Sequence, residues 1–416
     1  MQRRLGGGFI EDLLERELAQ AHLSPADRGL CQELVYGVVR WQAALDWLIS
    51  RKTAQKPQQT TVLDLLRLGL YQVFWLERIP DHAAVHETVE LAKARRLAPQ
   101  SGFINAILRG YIREADATRK LLAELKTSQP HLGYSHPEWL ASRWSQQWSP
   151  EKAAQLMDWN NQPPKLFARV NTLKTDAGKL LEQWREENVE YDFVRHDWLP
   201  ENLMFELKSH PSLSGLASFR QGLFYVQDPS TLLAPGFLDP QPGESILDLC
   251  AAPGGKLTYL AQLVRNEARI VAHDVSPDRL KLIEENCARL GVNCAHPILP
   301  AALETQPSVS FDRILLDAPC SNTGVMRRRV DLRWRIRPEE IQRLRAVQLC
   351  LLAQAARLLK SHGTLVYSTC SLEPEENDSV VNEFLAKTPG FTLESRRELL
   401  PFEHHADGAF VARLAR

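Results

Sequence analysis

Apolar residues recur at the spacing of an α-helix through the first third of the chain. Residues 30–36 and 63–70 show the pattern most clearly, with apolar side chains three and four positions apart. The pattern breaks around Pro130 and Gly133, two residue types that interrupt helices. The sequence therefore predicts an all-α N-terminal domain over residues 1–130.

The next part of the chain mixes two patterns. Residues 166–170, 189–194 and 203–207 have the apolar and aromatic composition of short strands, whereas residues 175–187 have helical spacing. This mixture predicts a small connecting α+β module over residues 138–238.

Beyond a turn rich in Asp and Pro at residues 239–243, strand and helix patterns alternate. The predicted strands are 245–250, 269–273, 312–317 and 363–369, and the predicted helices are 256–264, 277–290 and 338–360. Alternation of this kind predicts a doubly wound parallel sheet, and hence a Rossmann-like α/β domain over residues 239–416. Ligands of such sheets bind at the carboxyl ends of the strands, so the residues that follow each strand are the candidates for a site.

The composition narrows the range of functions. Lys and Arg number 50 and Asp and Glu 51, for a net charge of −1, so a polyanionic partner would have to meet a local basic patch. No apolar run has the length of a membrane span, and acids stand among the first residues where a signal peptide would be apolar. The seven cysteines form no Cys-x-x-Cys pair, which disfavours a zinc ribbon or a disulfide framework. We expect a cytoplasmic protein with reduced cysteines, no metal and no membrane association.

A Gly-rich turn at residues 248–256 follows the first strand of the predicted sheet. Cys250 and Leu257 stand where a Walker loop needs Gly and Ser or Thr, and the dinucleotide fingerprint is also missing. Asp274 ends the next strand, about 20 residues after Gly255, the offset at which an acid accepts ribose hydroxyls. These features favour an adenosine-type cofactor without a pyrophosphate. The alternative for Asp274 is a capping role at the helix that follows.

Two cysteines follow strands of the same predicted sheet, Cys320 after Asp317 and Cys370 after residues 363–369. Buried packing is the ordinary role of a cysteine, but two of them facing one crevice beside a carboxyl suggest chemistry. A thiolate is a strong nucleophile once its pKa is lowered. Carbon 5 of a pyrimidine is a poor nucleophile until a thiolate adds to C6, and a second thiol can then assist release. The pair therefore suggests methylation of a pyrimidine.

Residues 250–256, 317–321 and 368–371 together resemble the RNA 5-methylcytosine methyltransferases of the NOL/NOP/Sun family, which use S-adenosyl-L-methionine. The resemblance implies that Cys370 is the nucleophile, that Cys320 assists product release, and that Asp317 contacts the cytosine and lies near the cofactor. It also implies that Asp274 binds the ribose hydroxyls. The remaining cofactor residues that it implies are Cys250, Ala251, Ala252, Pro253, Gly254, Gly255 and Lys256.

The helical part of the chain carries its own resemblance. Residues 34–40, 66–72 and 103–109 are similar to the NusB-type domain fused to a bacterial member that methylates one cytosine of 16S rRNA. The connecting segments of that member resemble residues 134–140, 169–174 and 226–230, and its closing strand resembles residues 407–413. The resemblance implies a NusB-like RNA-binding domain and 16S rRNA as partner. We also expect the chain to act as a monomer.

Two positions depart from the family pattern. Pro300 stands where the family has an acid that contacts adenine, so no adenine contact is assigned. The family's Arg-Arg-His-Pro-Asp run is Arg-Arg-Arg-Val-Asp at residues 327–331, which adds charge.

The local basic patch that RNA binding requires lies in residues 327–345, which contain eight arginines and only three acidic residues. The predicted RNA-binding residues are Arg327, Arg328, Arg329, Arg333 and Trp334, the last by stacking on a base. A solvated helix face is the alternative, and it suits Arg343 and Arg345 best. His82 and His86, one helical turn apart beside Glu87, could suggest a metal, but the sequence offers no further ligand.

Two other functions compete with cytosine C5 methylation. An N-methyltransferase of base amino groups would need an Asp/Asn-Pro-Pro-Tyr/Phe loop, whereas this loop begins Asp317-Ala318-Pro319-Cys320. A non-enzymatic RNA-binding or antitermination factor with a decayed methyltransferase fold would not need both cysteines and the Gly-rich turn.

Overall fold

A computed structural model describes residues 8–305, 307 and 309–416 of the chain. Residues 1–7, which begin the N-terminal segment that lacks the apolar run of a signal peptide, lie outside the described residues. The chain divides into two compact units, one of residues up to Pro163 together with Met326–Arg335, the other of Pro164–Val325 together with Ile336–Arg416. The predicted domain limits at residues 130 and 138 therefore differ from the division between compact units.

Unit 1 is helical, in agreement with the predicted all-α domain. Its helices up to Pro163 are α1 (Ile10–Gln20), α2 (Pro25–Arg40), α3 (Gln42–Lys52), α4 (Thr60–Trp75), α5 (Asp81–Ala94), α6 (Ala98–Arg113), α7 (Ala115–Ser128), α8 (Pro130–Gly133), α9 (Glu138–Gln147) and α10 (Pro150–Asn161). Leu45, Leu66, Leu70 and Leu108 are fully buried at its centre. The apolar spacing that predicted the helices supplies this core.

Unit 2 begins with a small four-stranded antiparallel sheet. Its strands are β1 (Leu166–Val170), β2 (Glu190–Phe193), β3 (Met204–Ser209) and β4 (Phe224–Val226), in the order β2-β3-β1-β4. The helices of this module are α11 (Ala177–Glu186) and α12 (Ala217–Arg220). Helix α13 (Leu233–Leu238) follows them and packs against the seven-stranded sheet. Trp184 of α11 is fully buried against Phe205 and Phe224 on the sheet. The module is α+β, as predicted.

The rest of unit 2 is built on a seven-stranded sheet. Its strands are β5 (Ser245–Asp248), β6 (Arg269–His273), β7 (Ala295–Ile298), β8 (Phe311–Asp317), β9 (Leu359–Thr369), β10 (Thr392–Leu399) and β11 (Ala409–Ala415). They lie in the order β10-β11-β9-β8-β5-β6-β7. The helices along this part of the chain are α14 (Gly255–Leu263), α15 (Pro277–Leu290), α16 (Pro300–Glu304), α17 (Leu332–Arg335), α18 (Pro338–Leu358), α19 (Asp378–Lys387) and α20 (Pro401–His404). Of these, α17 belongs to unit 1.

The seven-stranded sheet confirms the Rossmann-like prediction with one correction. Strands β5 to β9 pair in parallel, but β11 pairs antiparallel with both β9 and β10, so the sheet is mixed. Two apolar clusters pack against it, one containing Ile246 and Leu260 and the other containing Leu247 and Leu352. The successive residues Ile246 and Leu247 point to opposite faces, as they must in a strand.

A second correction concerns the segment after β9. Residues 374–385 also have the composition of a helix, and the sequence predicts one there, but helix α19 starts at Asp378 because residues 374–377 form a turn. This turn holds Glu376 beside the two candidate cysteines.

Candidate active site

The two candidate cysteines lie at the carboxyl ends of neighbouring parallel strands. Asp317 at the end of β8 is in register with Ser368 of β9, so the loops that follow both strands leave the sheet at one edge. The Sγ atoms of Cys320 and Cys370 are 3.3 Å apart. The structure thus brings the two thiols together, although 50 residues of sequence separate them.

Cys370 also contacts the neighbouring loop through Asn322. Its Sγ donates to Asn322 Oδ1 at 3.1 Å, and Asn322 Nδ2 donates to the carbonyl of Cys320 at 2.7 Å. Asn322 has φ of 60°, in the left-handed region that asparagine tolerates better than most residues. One carboxamide therefore links both cysteines, a role that the sequence analysis missed.

The surroundings of the Cys320 thiol favour its protonated form. Its hydrogen bond to Cys370 and its burial raise the pKa of Cys320 well above the usual range of a thiol. Cys320 is 8% exposed, whereas Cys370 is half-buried and can be reached from outside. Of the two sulfurs, Cys370 is thus the better placed to act first as a nucleophile.

Asp317 is held beside the cysteines by two donors. Lys256 Nζ donates to its Oδ2 at 2.6 Å, and Ser368 Oγ donates to its Oδ1 at 2.8 Å. Burial opposes the charge of Lys256, but the nearby Asp317 carboxylate outweighs this and raises the pKa of Lys256. The Asp317 side chain remains one-third exposed, at 33%, so its carboxylate can still meet a ligand.

The Gly-rich turn lies between β5 and α14. Gly254 has φ of 102° and precedes the first residue of α14, a conformation that suits glycine and strains other residues. The turn lies against β6, where the Ala251 amide donates to the His273 carbonyl at 2.9 Å. The amides at the start of α14 give this edge of the sheet a partial positive charge.

Asp274 does not cap α15, because Ser276 is the N-cap of that helix. Its Oδ1 accepts from the amide of Ser276, the residue that caps α15, and its Oδ2 accepts from the amide of Ala252 in the Gly-rich turn. The carboxylate is 3% exposed and so has a fixed orientation. Structural support of the loop does not use all of its acceptor sites, which leaves it able to accept hydroxyl donors.

A buried acid that the sequence analysis did not single out lies at the end of β5. Asp248 is 1% exposed, and neither of its carboxyl oxygens has a hydrogen-bond partner among the described residues, although the Cys250 amide faces it. Burial, followed by the charge of Asp317, raises the pKa of Asp248 to about 8. Asp248, Asp274 and Asp317 thus surround the Gly-rich turn with carboxyl groups. S-adenosyl-L-methionine carries a sulfonium and an ammonium, so these residues fit such a cationic ligand.

The five predicted RNA-binding residues all lie in Met326–Arg335, the segment that belongs to unit 1. Arg333 is fully buried, and Arg327 is 1% exposed with its guanidinium over the Trp159 ring at 4.2 Å. Trp334 is half-buried, and its Nε1 donates to the Val39 carbonyl at 2.7 Å. Burial gives Arg327 and Arg333 a structural role in unit 1.

The other basic residues of this region differ in exposure. Arg328 is half-buried, as is Trp334, and Arg329 is exposed, so Arg328 and Arg329 are the two arginines among the predicted RNA contacts that reach the surface of unit 1. Arg343 pairs with Glu340 at 2.6 Å, and Arg345 pairs with Glu383. The last two arginines therefore match the alternative of a solvated helix face.

The remaining candidate residues offer few groups that could bind a metal ion or a cofactor. His82 and His86 both lie on α5, and within the described residues no group of three or more His, Cys, Asp or Glu side chains could hold a metal ion. Pro300 is the first residue of α16 and offers no polar side chain. Across the same described residues, none of the helices has the length and apolar character that crossing a bilayer requires.

Three protein-family models match the chain. Residues 235–415 match a model described as 16S rRNA methyltransferase RsmB/F, and residues 4–113 match the NusB family. Residues 136–209 match a model described as the ferredoxin-like domain of RsmF/B-like methyltransferases. The three matches follow the helical, α+β and Rossmann-like parts of the sequence.

Relatives of known name match nearly the whole chain. The probable ribosomal RNA small subunit methyltransferase B of Bacillus subtilis is 37% identical over 96% of this chain and 93% of its own length. Ribosomal RNA small subunit methyltransferase B of Klebsiella pneumoniae is 38% identical over 99% of this chain and 97% of its own.

Solved structures agree with the fold. The crystal structure of PH0851 superposes with a TM-score of 0.77 at 26% identity and covers 95% of this chain and 91% of that one. NSun6 from Pyrococcus horikoshii, solved with SFG, superposes with a TM-score of 0.60 at 25% identity and covers 67% of this chain and 98% of that one.

Proposed function

Since the chain belongs to the RsmB/F family of 16S rRNA methyltransferases, we propose that it methylates carbon 5 of a cytosine in 16S rRNA through a covalent bond from Cys370 to C6. The family is S-adenosyl-L-methionine-dependent, and the Rossmann-like fold agrees with this. The observation that carries the cytosine and the covalent step is the Cys320–Cys370 pair, 3.3 Å apart, beside Asp317. A methyltransferase that acts on amino groups has no need of two adjacent thiols.

The chemistry assigns one step to each side chain. Cys370 loses its thiol proton to solvent and adds to C6 as the thiolate. Asp317, as its acid, donates a hydrogen bond to N3 and stabilises the electron pair that reaches C5. When bound, S-adenosyl-L-methionine supplies an electrophilic methyl group to C5. Once Cys370 is bonded to C6, its hydrogen bond no longer holds the proton on Cys320, and Cys320 can lose that proton to solvent. The Cys320 thiolate then takes the proton from C5, the C6–S bond to Cys370 breaks, and 5-methylcytosine leaves.

Cofactor binding falls to the residues around the Gly-rich turn. In this proposal Asp274 accepts from ribose hydroxyls, and residues 250–256 line the methionine and ribose. Burial raises the pKa of the Cys250 thiol, which keeps that thiol neutral and unreactive in the same loop. Lys256 holds Asp317, and so joins the cofactor loop to the cytosine contact.

RNA recognition falls to the helical part of the chain and to the surface arginines. The NusB family match supports RNA binding by this part, and Arg328 and Arg329 are the predicted contacts that phosphates can reach. The target cytosine must be unpaired or turned out, because a thiolate attacks C6 perpendicular to the ring. We further propose that the protein acts as a monomer in the cytoplasm.

The direct test is transfer of tritium from labelled S-adenosyl-L-methionine to unmodified 16S rRNA. The wild type is compared with Cys370→Ala, Cys320→Ala and, as a matched control, Cys350→Ala on the exposed face of α18. We expect label in 5-methylcytosine with wild type and control, loss of label with Cys370→Ala, and a covalent protein–RNA adduct with Cys320→Ala.

Each other outcome contradicts a particular step. Label in an amino-methylated base would refute C5 chemistry, and undetectable cofactor binding would favour a decayed fold. An adduct with Cys370→Ala instead of Cys320→Ala would reverse the two thiol roles. Failure to label 16S rRNA, with tRNA labelled instead, would refute the substrate while leaving the chemistry in place.

A further inference from the structure

A buried carboxyl group links the loops that carry the two cysteines. Glu376, in the turn between β9 and α19, is fully buried. Its Oε1 accepts from the amide of Ser321 at 2.9 Å, and its Oε2 accepts from the hydroxyl of the same serine. Its Oε2 also accepts from the hydroxyl of Ser371 at 2.5 Å.

The two serines are the immediate neighbours of the two thiols. Ser321 follows Cys320 and Ser371 follows Cys370, and both serines are buried, at 2% and 0% exposure. Their hydroxyl oxygens are 3.0 Å apart. A shift of either serine therefore moves the adjoining cysteine, because one peptide unit separates them.

Glu376 is itself fixed from outside the two loops. Gln348 of α18 donates from Nε2 to Glu376 Oε1 at 3.0 Å and to the carbonyl of Pro319 at 2.9 Å. The Tyr367 hydroxyl donates to the Glu376 carbonyl at 2.5 Å. The carboxyl group of Glu376 has four polar contacts, and in each of them the partner is an N–H or O–H group that donates to it.

We propose that Glu376 is a positioning residue that holds the Cys320 and Cys370 thiols at their working separation through Ser321 and Ser371. The importance of that separation for catalysis rests on the function proposed above, but the separation itself can be measured without it. The Gly324 amide donates to the Cys370 carbonyl at 2.9 Å and so ties the two loops independently. Loss of the carboxyl should thus loosen the thiol pair without unfolding the sheet.

The spacing of the thiols can be probed with phenylarsine oxide. Its trivalent arsenic forms two As–S bonds with a close pair of thiols and releases its oxygen with both thiol protons as water, so no oxidation occurs. Cys287 and Cys294 also interact and can bind the reagent. Binding at the Cys320–Cys370 pair is therefore the difference in arsenical binding between each protein and the same protein carrying Cys320→Ser.

We expect site-specific affinity for the arsenical to fall about tenfold in Glu376→Ala, the equivalent of about 1.4 kcal/mol. Glu376→Gln should restore most of it, because a carboxamide can accept at one atom and donate to a serine oxygen at the other. The matched control is Glu244→Gln, a carboxylate that bonds Arg313 next to β5 and contacts neither cysteine loop. It should bind like wild type.

A second readout follows catalysis. Glu376→Ala should still form the covalent adduct with RNA but release it more slowly, so that adduct accumulates as it does with Cys320→Ala. If Glu376→Ala fails to fold, Ser321→Ala and Ser371→Ala remove the two hydroxyl arms one at a time and should each weaken arsenical binding.

Wild-type arsenical affinity in the folded Glu376→Ala protein, or in both serine variants, would overturn the proposal. An equal loss of affinity in Glu244→Gln and Glu376→Ala would overturn it as well, since the loss would then be general. If no RNA is methylated by the wild type but the arsenical pattern holds, the proposed function fails and the positioning role stands.

Discussion

At the residue scale, Asp248 is a buried carboxyl group of the candidate site that lowers the free energy of unfolding. In the folded protein its pKa is about 8, whereas an unfolded aspartate has a pKa of about 3.9. Between these values the folded chain keeps a proton that the unfolded chain releases. Because the folded state binds more protons than the unfolded state in this pH range, the contribution of Asp248 to the free energy of unfolding falls as the pH rises from about 4 to 8.

Asp248→Asn should remove this pH dependence. The asparagine has nearly the shape of the protonated acid and does not titrate, so the variant should be about as stable as wild type near pH 4 and more stable near pH 8. The charged groups that act on Asp248 are Asp317, Lys256 and Asp274, which stay in both proteins. Urea unfolding of both proteins across this pH range measures the difference.

A wild-type stability that rises in parallel with that of Asp248→Asn over the whole range would contradict the buried, protonated state.

The residues found from sequence and those missed differ in what local sequence reveals. Cys320 and Cys370 could be placed at one edge because the alternating pattern fixes where the strands end. Glu376 and Asn322 act only through partners on another loop, so no local pattern marks them. The serine after each cysteine was a visible signal, but its meaning depends on the carboxyl between them.

At the element scale, the strands that were predicted correctly are those whose burial requires apolar residues. Strands β5, β6 and β8 are buried and apolar, and their predicted limits lie within two residues of the observed ones. Strand β10 was missed because its exposed sequence, TLESRREL, has no apolar alternation. It becomes a strand by pairing with β11, a tertiary effect outside the reach of local propensity.

A close approach of two glycines shapes the loop after β8. A Cβ at Gly324 would stand 2.7 Å from the Cys370 carbonyl oxygen and 2.8 Å from the Cα of Gly408. Gly324→Ala should therefore push the Cys320 loop away from the end of β9 and cost about 1–3 kcal/mol of stability. The rate of methyl transfer should also fall, by at least as large a factor as the folding equilibrium constant, because the displaced loop carries Cys320.

Thermal unfolding and methyl transfer measured together test this substitution. Gly236→Ala in α13 is the matched control, since a Cβ added at Gly236 would meet nothing within 4 Å and alanine favours a helix. Equal stability and activity in the two variants would show that the Gly324 contact does not constrain the loop.

At the scale of the whole molecule, the compact units are not continuous in sequence. The segment Met326–Arg335 comes from the middle of the Rossmann-like part of the chain, yet it belongs to unit 1. Val330 packs with Ile10 and Val39, and the Ile10 amide donates to Asp331 at 3.2 Å. Sequence analysis predicted three consecutive domains because composition and periodicity act along the chain and cannot show a segment returning to an earlier unit.

Arg333 is the centre of this arrangement. Its guanidinium donates to the carbonyls of Arg40, Ser135 and Asn160 and to Asn161 Oδ1, at 3.3, 3.2, 2.9 and 2.7 Å. Burial lowers its pKa well below the usual range, and no carboxylate is among these partners. The residue thus joins the ends of α2, α8 and α10 through neutral acceptors.

Arg333→Met should therefore destabilise unit 1 by about 2–4 kcal/mol, because four buried acceptors lose their donor while the volume is kept. Hydrogen exchange should accelerate in α2, α9, α10 and residues 326–335 and stay unchanged in β5, β8 and β9. Arg343→Met, on an exposed arginine paired with Glu340, is the control and should leave exchange as it is. If Arg333 acted only by contacting RNA, Arg333→Met would weaken RNA binding with no change in exchange, and the structural role argued here would be refuted.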